Sequence, residues 1–269
     1  MSASLVAVKG KVLCNQALSG GYYQLSLAAP ALVARACPGQ FVMVRVGPWH
    51  DPLLRRPLSL SSWDDETGVL RLWIEPRGRG TKALKQVKPG DELDLLGPLG
   101  RGFPAAKKND TLLVVGGGIG VAPLVQVVSQ AIEVGASVRV CLGARSISHL
   151  LGVEEMVQRG VPVDIATDDG SRGHHGRVTE LAKEARVDNE TKVMACGPWP
   201  MLKVLRNIAV TRQWLLHVSL EAYMACAVGA CQGCAVKAAD KDGYYRVCKD
   251  GPVFSHMELD WNQAGEGCS

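Results

Sequence analysis

The chain has no long uninterrupted apolar run. Its most apolar window, LLVVGGGIGVAPLVQVV, is broken by glycines, Pro123 and Gln126, and it is shorter than the roughly 20 residues that a membrane-spanning helix needs. The first ten residues, MSASLVAVKG, lack the charged segment followed by an apolar segment that is typical of an export signal. We therefore expect a cytoplasmic protein that has no membrane partner.

The excess of positive over negative charge is small, and aromatic side chains are scarce. The 269 residues carry 30 Lys and Arg against 26 Asp and Glu, and only 5% are aromatic. The basic residues are scattered, apart from Arg55-Arg56 and Lys107-Lys108. Nucleic-acid binding needs a clustered basic surface, so the composition argues against a nucleic-acid partner.

Cysteine, by contrast, is abundant. A cytoplasmic chain keeps its thiols reduced, so its nine cysteines do not predict a disulfide framework. Cys14 and Cys141 lie in apolar strand-like runs, where we expect small core residues. Four others lie close together near the end of the sequence: Cys226, Cys231, Cys234 and Cys248. Clustered thiols in a reducing compartment indicate a metal site.

The spacing of these four cysteines is specific. They run C-x4-C-x2-C, with the last one after thirteen further residues, which is the plant-type [2Fe–2S] spacing. Small residues between them, such as Ala227 and Gly229, allow the backbone to approach the cluster closely. A structural zinc site is the alternative, but zinc ribbons use two short C-x-x-C pairs, and Cys226 and Cys248 lie outside any such pair.

The hydrophobic pattern divides the chain into three parts. Residues 1–108 contain about six short alternating runs separated by turn signals, which predict an antiparallel β-barrel. Residues 109–220 alternate apolar strands with helical stretches, which predicts a doubly wound parallel α/β sheet. Residues 221–269 are rich in cysteine and glycine and too short for a core of their own, so a small C-terminal iron–sulfur unit is expected there. The fold class is thus all-β plus α/β.

Two glycine-rich motifs indicate nucleotide binding. The strand TLLVV runs into Gly116, Gly117, Gly118 and Gly120, a turn whose backbone N–H groups suit a pyrophosphate. A tight strand–helix turn is the simpler interpretation, because the motif is not the G-x-G-x-x-G fingerprint. A second strand ends at Cys196-Gly197-Pro198.

The barrel contains two further motifs, RRPLSL and WIEPRGRGT. An arginine just before a strand can pair with a phosphate, and a glycine-rich turn that ends in threonine can supply backbone donors. Taken singly, each is better explained without a ligand: RRPLS as the basic start of an edge strand, and RGRGT as a solvated hairpin turn. Their order along the chain, followed by the glycine turn and Cys-Gly-Pro, is far less easily explained by chance.

With these motifs, residues 1 to about 217 resemble the ferredoxin reductase-like flavoproteins. The resemblance implies an FAD-binding barrel and a nicotinamide-nucleotide domain. At the position where that superfamily stacks a tyrosine on the flavin, this chain has Leu58. The residues implied for FAD are Arg56, Pro57, Leu58, Ser59, Trp73, Ile74, Glu75, Gly80 and Thr81. Those implied for NAD are Gly116, Gly117, Gly118, Gly120, Cys196, Gly197 and Pro198.

The C-terminal stretch EAYMACAVGACQGCAVKA, together with LRRPLSL, is similar to the electron-transfer subunits of heteromeric NAD-dependent dihydroorotate dehydrogenases. Ala227 stands where that family commonly has glycine. The resemblance implies FAD and a [2Fe–2S] cluster in this chain, and a separate catalytic subunit that carries FMN and oxidises dihydroorotate. It further implies a heterotetramer of two copies of each chain. No side chain of the sequence is an obvious acid–base catalyst, so no catalytic residue is expected here.

The expected function is to pass electrons from that partner through the cluster and FAD to NAD+, in pyrimidine biosynthesis. Two alternatives stay open: a subunit of a ferredoxin- or sulfur-linked NAD(P)H oxidoreductase, and a non-enzymatic redox sensor. Preference for NAD over NADP is also open, because Arg139 and Arg145 near the end of the second strand could meet a 2′-phosphate. Asp168 and Asp169 are candidates for ribose binding, whereas His174 and His175 are expected to be solvated loop residues.

Overall fold

The N-terminal part forms an antiparallel sheet in the computed structural model, which describes residues 5–47, 51–187 and 190–262. The sheet has seven strands in the order β4-β3-β7-β1-β2-β6-β5. Its alternating apolar side chains enclose one core that includes Leu25, Leu72 and Leu95. The elements are β1 (Val6–Ala17), β2 (Tyr23–Ala28), α1 (Pro30–Val33), β3 (Phe41–Val44), β4 (Arg56–Ser59), β5 (Ser62–Asp64), β6 (Val69–Ile74), α2 (Arg79–Leu84) and β7 (Glu92–Leu99).

A second sheet follows, with helices on both faces. Its order is β11-β10-β9-β8-β12-β13-β16, and every neighbouring pair is parallel except β13 with β16. A 3-10 segment, Gly118–Leu124, joins β8 to α3. The elements are β8 (Thr111–Gly117), α3 (Val125–Glu133), β9 (Ser137–Ala144), α4 (Val153–Gln158), β10 (Val163–Thr167), β11 (His174–His175), α5 (Val178–Glu184), β12 (Lys192–Cys196), α6 (Trp199–Arg212) and β13 (Leu215–Ser219).

The apolar run of β8 is explained by burial on both faces of this sheet. Leu113 and Val115 belong to one core, and Leu112 and Val114 belong to the other. A parallel strand that is covered on both sides needs apolar residues at every position. The predicted fold class, an antiparallel sheet followed by a doubly wound parallel sheet, is therefore confirmed.

The C-terminal part packs onto the two sheets. Strands β14 (Ala235–Lys237) and β15 (Tyr244–Arg246) form a hairpin, and β16 (Val253–Ser255) adds to the second sheet antiparallel to β13. Phe254 is fully buried there, and the rings of Trp199 and Trp261 stack with centroids 4.8 Å apart. The first sheet is attached through Arg101, whose Nε donates to the Val253 carbonyl at 3.0 Å. The predicted boundaries after residues 108 and 220 remain a prediction.

Three local expectations were wrong. The stretch RGRGT was expected to be a turn, but Gly80 and Thr81 lie in the first turn of α2. Cys14 is exposed on β1, whereas Cys141 is buried as expected. The pair His174-His175 forms a two-residue strand beside β10 rather than a solvated loop. No helix in the described ranges 5–47, 51–187 and 190–262 is long and apolar enough to cross a membrane.

Candidate redox site

A cavity of about 660 Å³ lies between the two sheets and the C-terminal part. Its wall includes the end of β4, the end of β6 and the start of α2. Eight of the nine residues implied for FAD line it: Arg56, Pro57, Leu58, Ser59, Trp73, Ile74, Glu75 and Thr81. The ninth, Gly80, is buried directly behind Arg56. Residues up to 25 positions apart in the sequence, Arg56 and Thr81, are thus brought together at one cavity.

Gly80 makes room for the Arg56 guanidinium. A Cβ atom at Gly80 would lie 2.2 Å from the Arg56 Nε atom, so only glycine leaves the arginine in this place. Arg56 is half-buried, and its Nη1 donates to the Leu54 carbonyl at 2.5 Å. Within the described residues it pairs with no carboxylate. Donor groups therefore remain for an anion in the cavity, which fits a pyrophosphate.

Tyr23 holds the start of α2, which forms part of the same wall. Its hydroxyl donates to the Thr81 carbonyl at 2.6 Å, and burial raises the pKa of this phenol well above its ordinary value. The hydroxyl therefore stays protonated and holds the first turn of α2. Leu58 is buried at the position where an aromatic ring was looked for. The aromatic residues that do line this cavity are Phe41, Trp73 and Tyr223.

A second cavity, of about 610 Å³, lies at the carboxyl ends of the parallel strands. It is lined by Gly117, Gly118, Gly120, Gly197 and Pro198. The remaining two residues implied for NAD differ: Cys196 lines the first cavity, and Gly116 is buried within β8 and lines neither. The crevice at the ends of parallel strands is where nucleotides bind in such sheets.

Close backbone packing explains two of these glycines. A Cβ atom at Gly120 would lie 2.6 Å from the Cys196 carbonyl oxygen, and one at Gly197 would lie 3.1 Å from the Gly117 backbone. The glycine turn and the Cys-Gly-Pro turn therefore touch each other across the cavity floor. Burial also raises the pKa of the Cys196 thiol, and Glu221 adds to the effect, so this thiol stays protonated.

At its far end the second cavity carries charges. Arg145, Asp168 and Arg177 line it, and Arg177 Nη1 pairs with Asp168 Oδ2 at 3.2 Å. Asp169 instead accepts hydrogen bonds from Ser171. Arg139 pairs with Asp164 on the neighbouring strand at 2.7 Å. Of the charged candidates from the sequence, Arg145 and Asp168 therefore reach the cavity.

The four clustered cysteines are arranged as two pairs. Cys226 Sγ accepts hydrogen bonds from the backbone N–H groups of Ala230 and Cys231, each at 3.3 Å, and Cys234 Sγ accepts one from the Cys248 N–H at 3.4 Å. The donors from Cys231 and its neighbours lower the pKa of the Cys226 thiol to about 6. The thiol of Cys248 is buried beside Cys234, and its pKa is raised.

This donor set suits an iron–sulfur cluster. In residues 5–47, 51–187 and 190–262, no three side chains of His, Cys, Asp or Glu converge closely enough to hold a single metal ion. A cluster with two irons instead needs two thiolates on each iron. Two cysteine pairs, with backbone N–H groups directed at the sulfurs, meet that need. The loop is tight enough that Ala227, Gly229 and Gln232 adopt positive φ angles.

The three sites adjoin one another. Glu75, Arg77, Ile119 and Glu221 line both cavities. Residues just before or between the cysteines line the first cavity as well: Ala222, Tyr223, Met224, Ala225 and Gly233. The sequence did not predict these contacts. One signal was available, because EAYMA follows the end of β13 just as the glycine turn follows β8, at the sheet edge where ligands bind.

An antiparallel sheet with a flavin-sized cavity, a parallel sheet with a nucleotide crevice and a four-cysteine unit define a ferredoxin reductase-like flavoprotein. Family models agree. The oxidoreductase FAD-binding domain matches residues 14–103, and the oxidoreductase NAD-binding domain matches residues 114–207. The iron–sulfur cluster binding domain of dihydroorotate dehydrogenase B matches residues 221–260. The chain belongs to the family of dihydroorotate dehydrogenase B (NAD(+)) electron transfer subunits.

Curated relatives of that name cover almost the whole chain. The subunit from Desulforamulus reducens is 40% identical over 254 residues, which span 93% of this chain and 97% of the relative. The one from Geobacillus kaustophilus is 43% identical over 240 residues, or 88% and 92% of the two chains. A homologue from Aquifex aeolicus is 35% identical over 95% of this chain and 99% of its own.

Solved structures give the same fold. An NADH-dependent reduced ferredoxin-NADP oxidoreductase, studied for flavin-based electron bifurcation, superposes with a TM-score of 0.83 at 28% identity. The match covers 97% of this chain and 92% of that one. A ferredoxin NADP+ reductase from Neisseria gonorrhoeae, at 16% identity, shows the fold alone, with a TM-score of 0.65 over 79% and 98% of the two chains.

These findings confirm three predicted cofactors. The chain is an oxidoreductase subunit with binding domains for FAD, NAD and an iron–sulfur cluster. The relatives' names also confirm the resemblance to dihydroorotate dehydrogenase electron-transfer subunits. They do not favour the two alternatives, a ferredoxin- or sulfur-linked oxidoreductase and a redox sensor. Since they are named electron transfer subunits, a separate catalytic subunit is implied. The individual residues at each site stay predictions.

Proposed function

We propose that this chain carries electrons from a catalytic, FMN-containing subunit that oxidises dihydroorotate to NAD+. The order is cluster, FAD, NAD+, and the pathway is pyrimidine biosynthesis in the cytoplasm. The cluster is of the [2Fe–2S] type on Cys226, Cys231, Cys234 and Cys248. The complex is a heterotetramer with two copies of each chain.

One observation carries the proposal: the FAD cavity adjoins both the NAD crevice and the cysteine loop. Glu75 and Glu221 are shared by the two cavities, and Gly233, between two of the cysteines, lines the flavin side. Such a site lets electrons enter on one side of the flavin cavity and leave on the other. An enzyme that only exchanged hydride between two small molecules would not need the cysteine unit.

The residues of this chain supply binding and orientation. FAD exchanges two electrons with nicotinamide as hydride and passes single electrons to an iron–sulfur centre. Arg56 would pair with the FAD pyrophosphate, and Thr81 and the buried Gly80 would complete that wall. Pro57, Leu58, Ser59, Trp73, Ile74 and Glu75 line the rest of the cavity.

The nicotinamide nucleotide is held by the touching turns at the strand ends. Backbone N–H groups of Gly117, Gly118 and Gly120 face its pyrophosphate. Gly197 and Pro198 line the same cavity, and Gly116 and Cys196 are paired at the ends of the two strands that bring the turns together. The Cys196 thiol, which lines the neighbouring cavity, remains protonated and adds no negative charge there.

The cysteine loop faces the partner subunit. Cys231 is exposed, and Val228 in the same loop has 46% of its surface exposed. An exposed apolar residue beside a redox centre suits a protein contact. Cross-links that placed this loop far from the catalytic subunit would contradict this arrangement.

The test is dihydroorotate-dependent NAD+ reduction by the complex, purified anaerobically through this chain. We expect activity that co-elutes with a second, FMN-bearing chain. The variant Cys248→Ser should lose that activity while it retains FAD and NADH-dependent dye reduction, and Cys14→Ser, at an exposed thiol, should behave like the natural protein. NADH–dye activity without any response to dihydroorotate would refute the substrate assignment and leave the flavin–cluster mechanism in place.

A further inference from the structure

Arg246, at the end of β15, bridges the cysteine loop and Asp250 in the turn that follows. Its Nε donates to Asp250 Oδ2 at 3.0 Å and its Nη2 donates to Asp250 Oδ1 at 3.2 Å, so the carboxylate is held by the guanidinium fork. The remaining nitrogen, Nη1, donates to the Gly229 carbonyl at 3.3 Å. The guanidinium therefore lies between a carboxylate on one side and the loop on the other.

Both cysteine pairs are anchored to this arginine. Gly229 lies in the loop that joins Cys226 to Cys231. On the other side, the residue after Arg246, Val247, donates its N–H to the Cys234 carbonyl at 3.0 Å, and Cys248 follows at once. A displacement of the Arg246 backbone or side chain would thus move both pairs.

The charge of Arg246 lies against the cysteine loop, because Nη1 of the guanidinium donates to the Gly229 carbonyl. Only 29% of its side chain and 24% of that of Asp250 are exposed, so solvent screens the charge less than at an open surface. The guanidinium thus contacts the loop through Nη1 and the Asp250 carboxylate through Nε and Nη2.

We propose that Arg246 is a positioning residue that holds the cysteine loop and raises the reduction potential of the cluster, and that Asp250 limits the rise. The inference rests on the proposed cluster ligation. A reduced cluster carries one more negative charge than an oxidised one, so a nearby cation stabilises the reduced form. Reduction potentials of these clusters depend on net charge and hydrogen bonding around the sulfurs.

The experiment is an anaerobic redox titration of the cluster in the intact complex, followed by electron paramagnetic resonance. We expect Arg246→Met to lower the potential and Asp250→Asn to raise it. Each change should correspond to about a tenfold change in the one-electron equilibrium, or about 59 mV. Arg246→Lys keeps the charge without the fork, so its potential should remain near the natural value while a chelator removes iron faster.

Arg139→Met, at the distant Arg139–Asp164 pair, is the control for a change of net charge and should leave the potential unchanged. Shifts of the same sign for Arg246→Met and Asp250→Asn, or no shift in either, would overturn the proposal, because loosening of the loop alone predicts no opposite signs. If Arg246→Met assembles no cluster, Asp250→Asn still decides, since only a raised potential supports the inference. Absence of a [2Fe–2S] signal in the natural protein would instead refute the proposed function.

Discussion

Gly80 and Arg56 act as one unit, although 23 residues separate them. The guanidinium occupies the space that a side chain at position 80 would need, since a Cβ atom there would be 2.2 Å from Arg56 Nε. The arginine in turn has donors that no carboxylate occupies within the described residues. Arg56 and Gly80 therefore form a site that can bind an anion, and Arg56 does not serve as a partner in a structural ion pair.

Replacement of Gly80 by alanine should weaken FAD binding while the protein stays folded. The added methyl group displaces Arg56, and the loss of one hydrogen bond from a charged donor is worth about 1.5–3 kcal/mol. We therefore expect an FAD dissociation constant about 10- to 100-fold higher, measured by flavin fluorescence titration. Lys82→Ala, at an exposed position of the same helix, is the control. Equal affinity for both variants would contradict the role given to Arg56.

Ala227 shows two effects that oppose each other. Its φ angle is +57°, which costs a non-glycine residue about 1–2 kcal/mol, yet its methyl group is buried, which stabilises by about 0.8 kcal/mol. Glycine there would also add to the entropy of the unfolded chain by about 0.5–1 kcal/mol. The strain on one side and the burial and entropy on the other nearly cancel, so alanine is tolerated at this position.

Ala227→Gly should therefore change the free energy of unfolding by less than about 1 kcal/mol. Gly229→Ala should be far worse, because φ is +81° and the new Cβ would lie 2.8 Å from Lys249 Cδ. Chemical denaturation of the holoprotein and iron content measure the two effects. If Ala227→Gly lost iron and Gly229→Ala kept it, the assigned roles of these two positions would be wrong.

At the scale of elements, the contact between β13 and β16 connects the nucleotide-binding sheet to the C-terminal part. His217 lies on β13 opposite Ser255, and the His256 N–H, just past β16, donates to the Leu216 carbonyl at 3.0 Å. Burial lowers the pKa of both imidazoles below their ordinary value. Arg101 adds to this effect at His217, where Glu258 opposes it, and Arg206 adds to it at His256.

This contact should weaken as the pH falls. A histidine whose folded-state pKa is lowered contributes stability above its unfolded pKa of about 6.5, and this stability is lost as the pH falls through the folded-state pKa. We expect the thermal unfolding midpoint to drop between pH 7.5 and pH 5.5, before most carboxylates titrate. His217→Gln should reduce this decrease in the unfolding midpoint, whereas His175→Gln, at an exposed histidine, should leave the decrease unchanged. An unaltered drop in His217→Gln would exclude His217 as its source.

At the scale of the whole molecule, the cysteine unit is part of the fold and not a separate appendage. Strand β16 fills the edge of the second sheet beside β13, Phe254 is fully buried, and Trp261 stacks on Trp199. The unit also lines the flavin cavity through residues such as Tyr223 and Gly233. Removal of the unit would therefore uncover both a strand edge and an apolar surface.

Deletion of residues 221–269 should yield an aggregating protein, because an unpaired apolar edge strand is a template for association. Removal of iron by a chelator leaves β16 in place, so it should yield a monodisperse protein that retains FAD. Size-exclusion chromatography with detection of bound flavin compares the two. A monodisperse, FAD-loaded deletion variant would show that the first two parts fold alone.

Several features followed from the sequence because they depend on local spacing or burial. The run TLLVV predicted an apolar strand of the parallel sheet, and β8 is such a strand. The cysteine spacing predicted an iron–sulfur unit because short loops limit where the thiols can lie. The helical conformation of RGRGT was not predictable in this way. This helix is held by the Tyr23 hydroxyl, 58 residues away in the sequence.

The sequence by itself determined the order of the two sheets and the strand that runs into the glycine turn, and it predicted the cysteine ligand set, since each depends on residues that lie close together along the chain. Only the tertiary structure decided that Arg56 lies against Gly80, that β16 completes the second sheet, and that the cysteine loop lines the flavin cavity. Those contacts join residues far apart in the chain. They exist because apolar faces of all three parts must be buried together, and local patterns do not specify which faces meet.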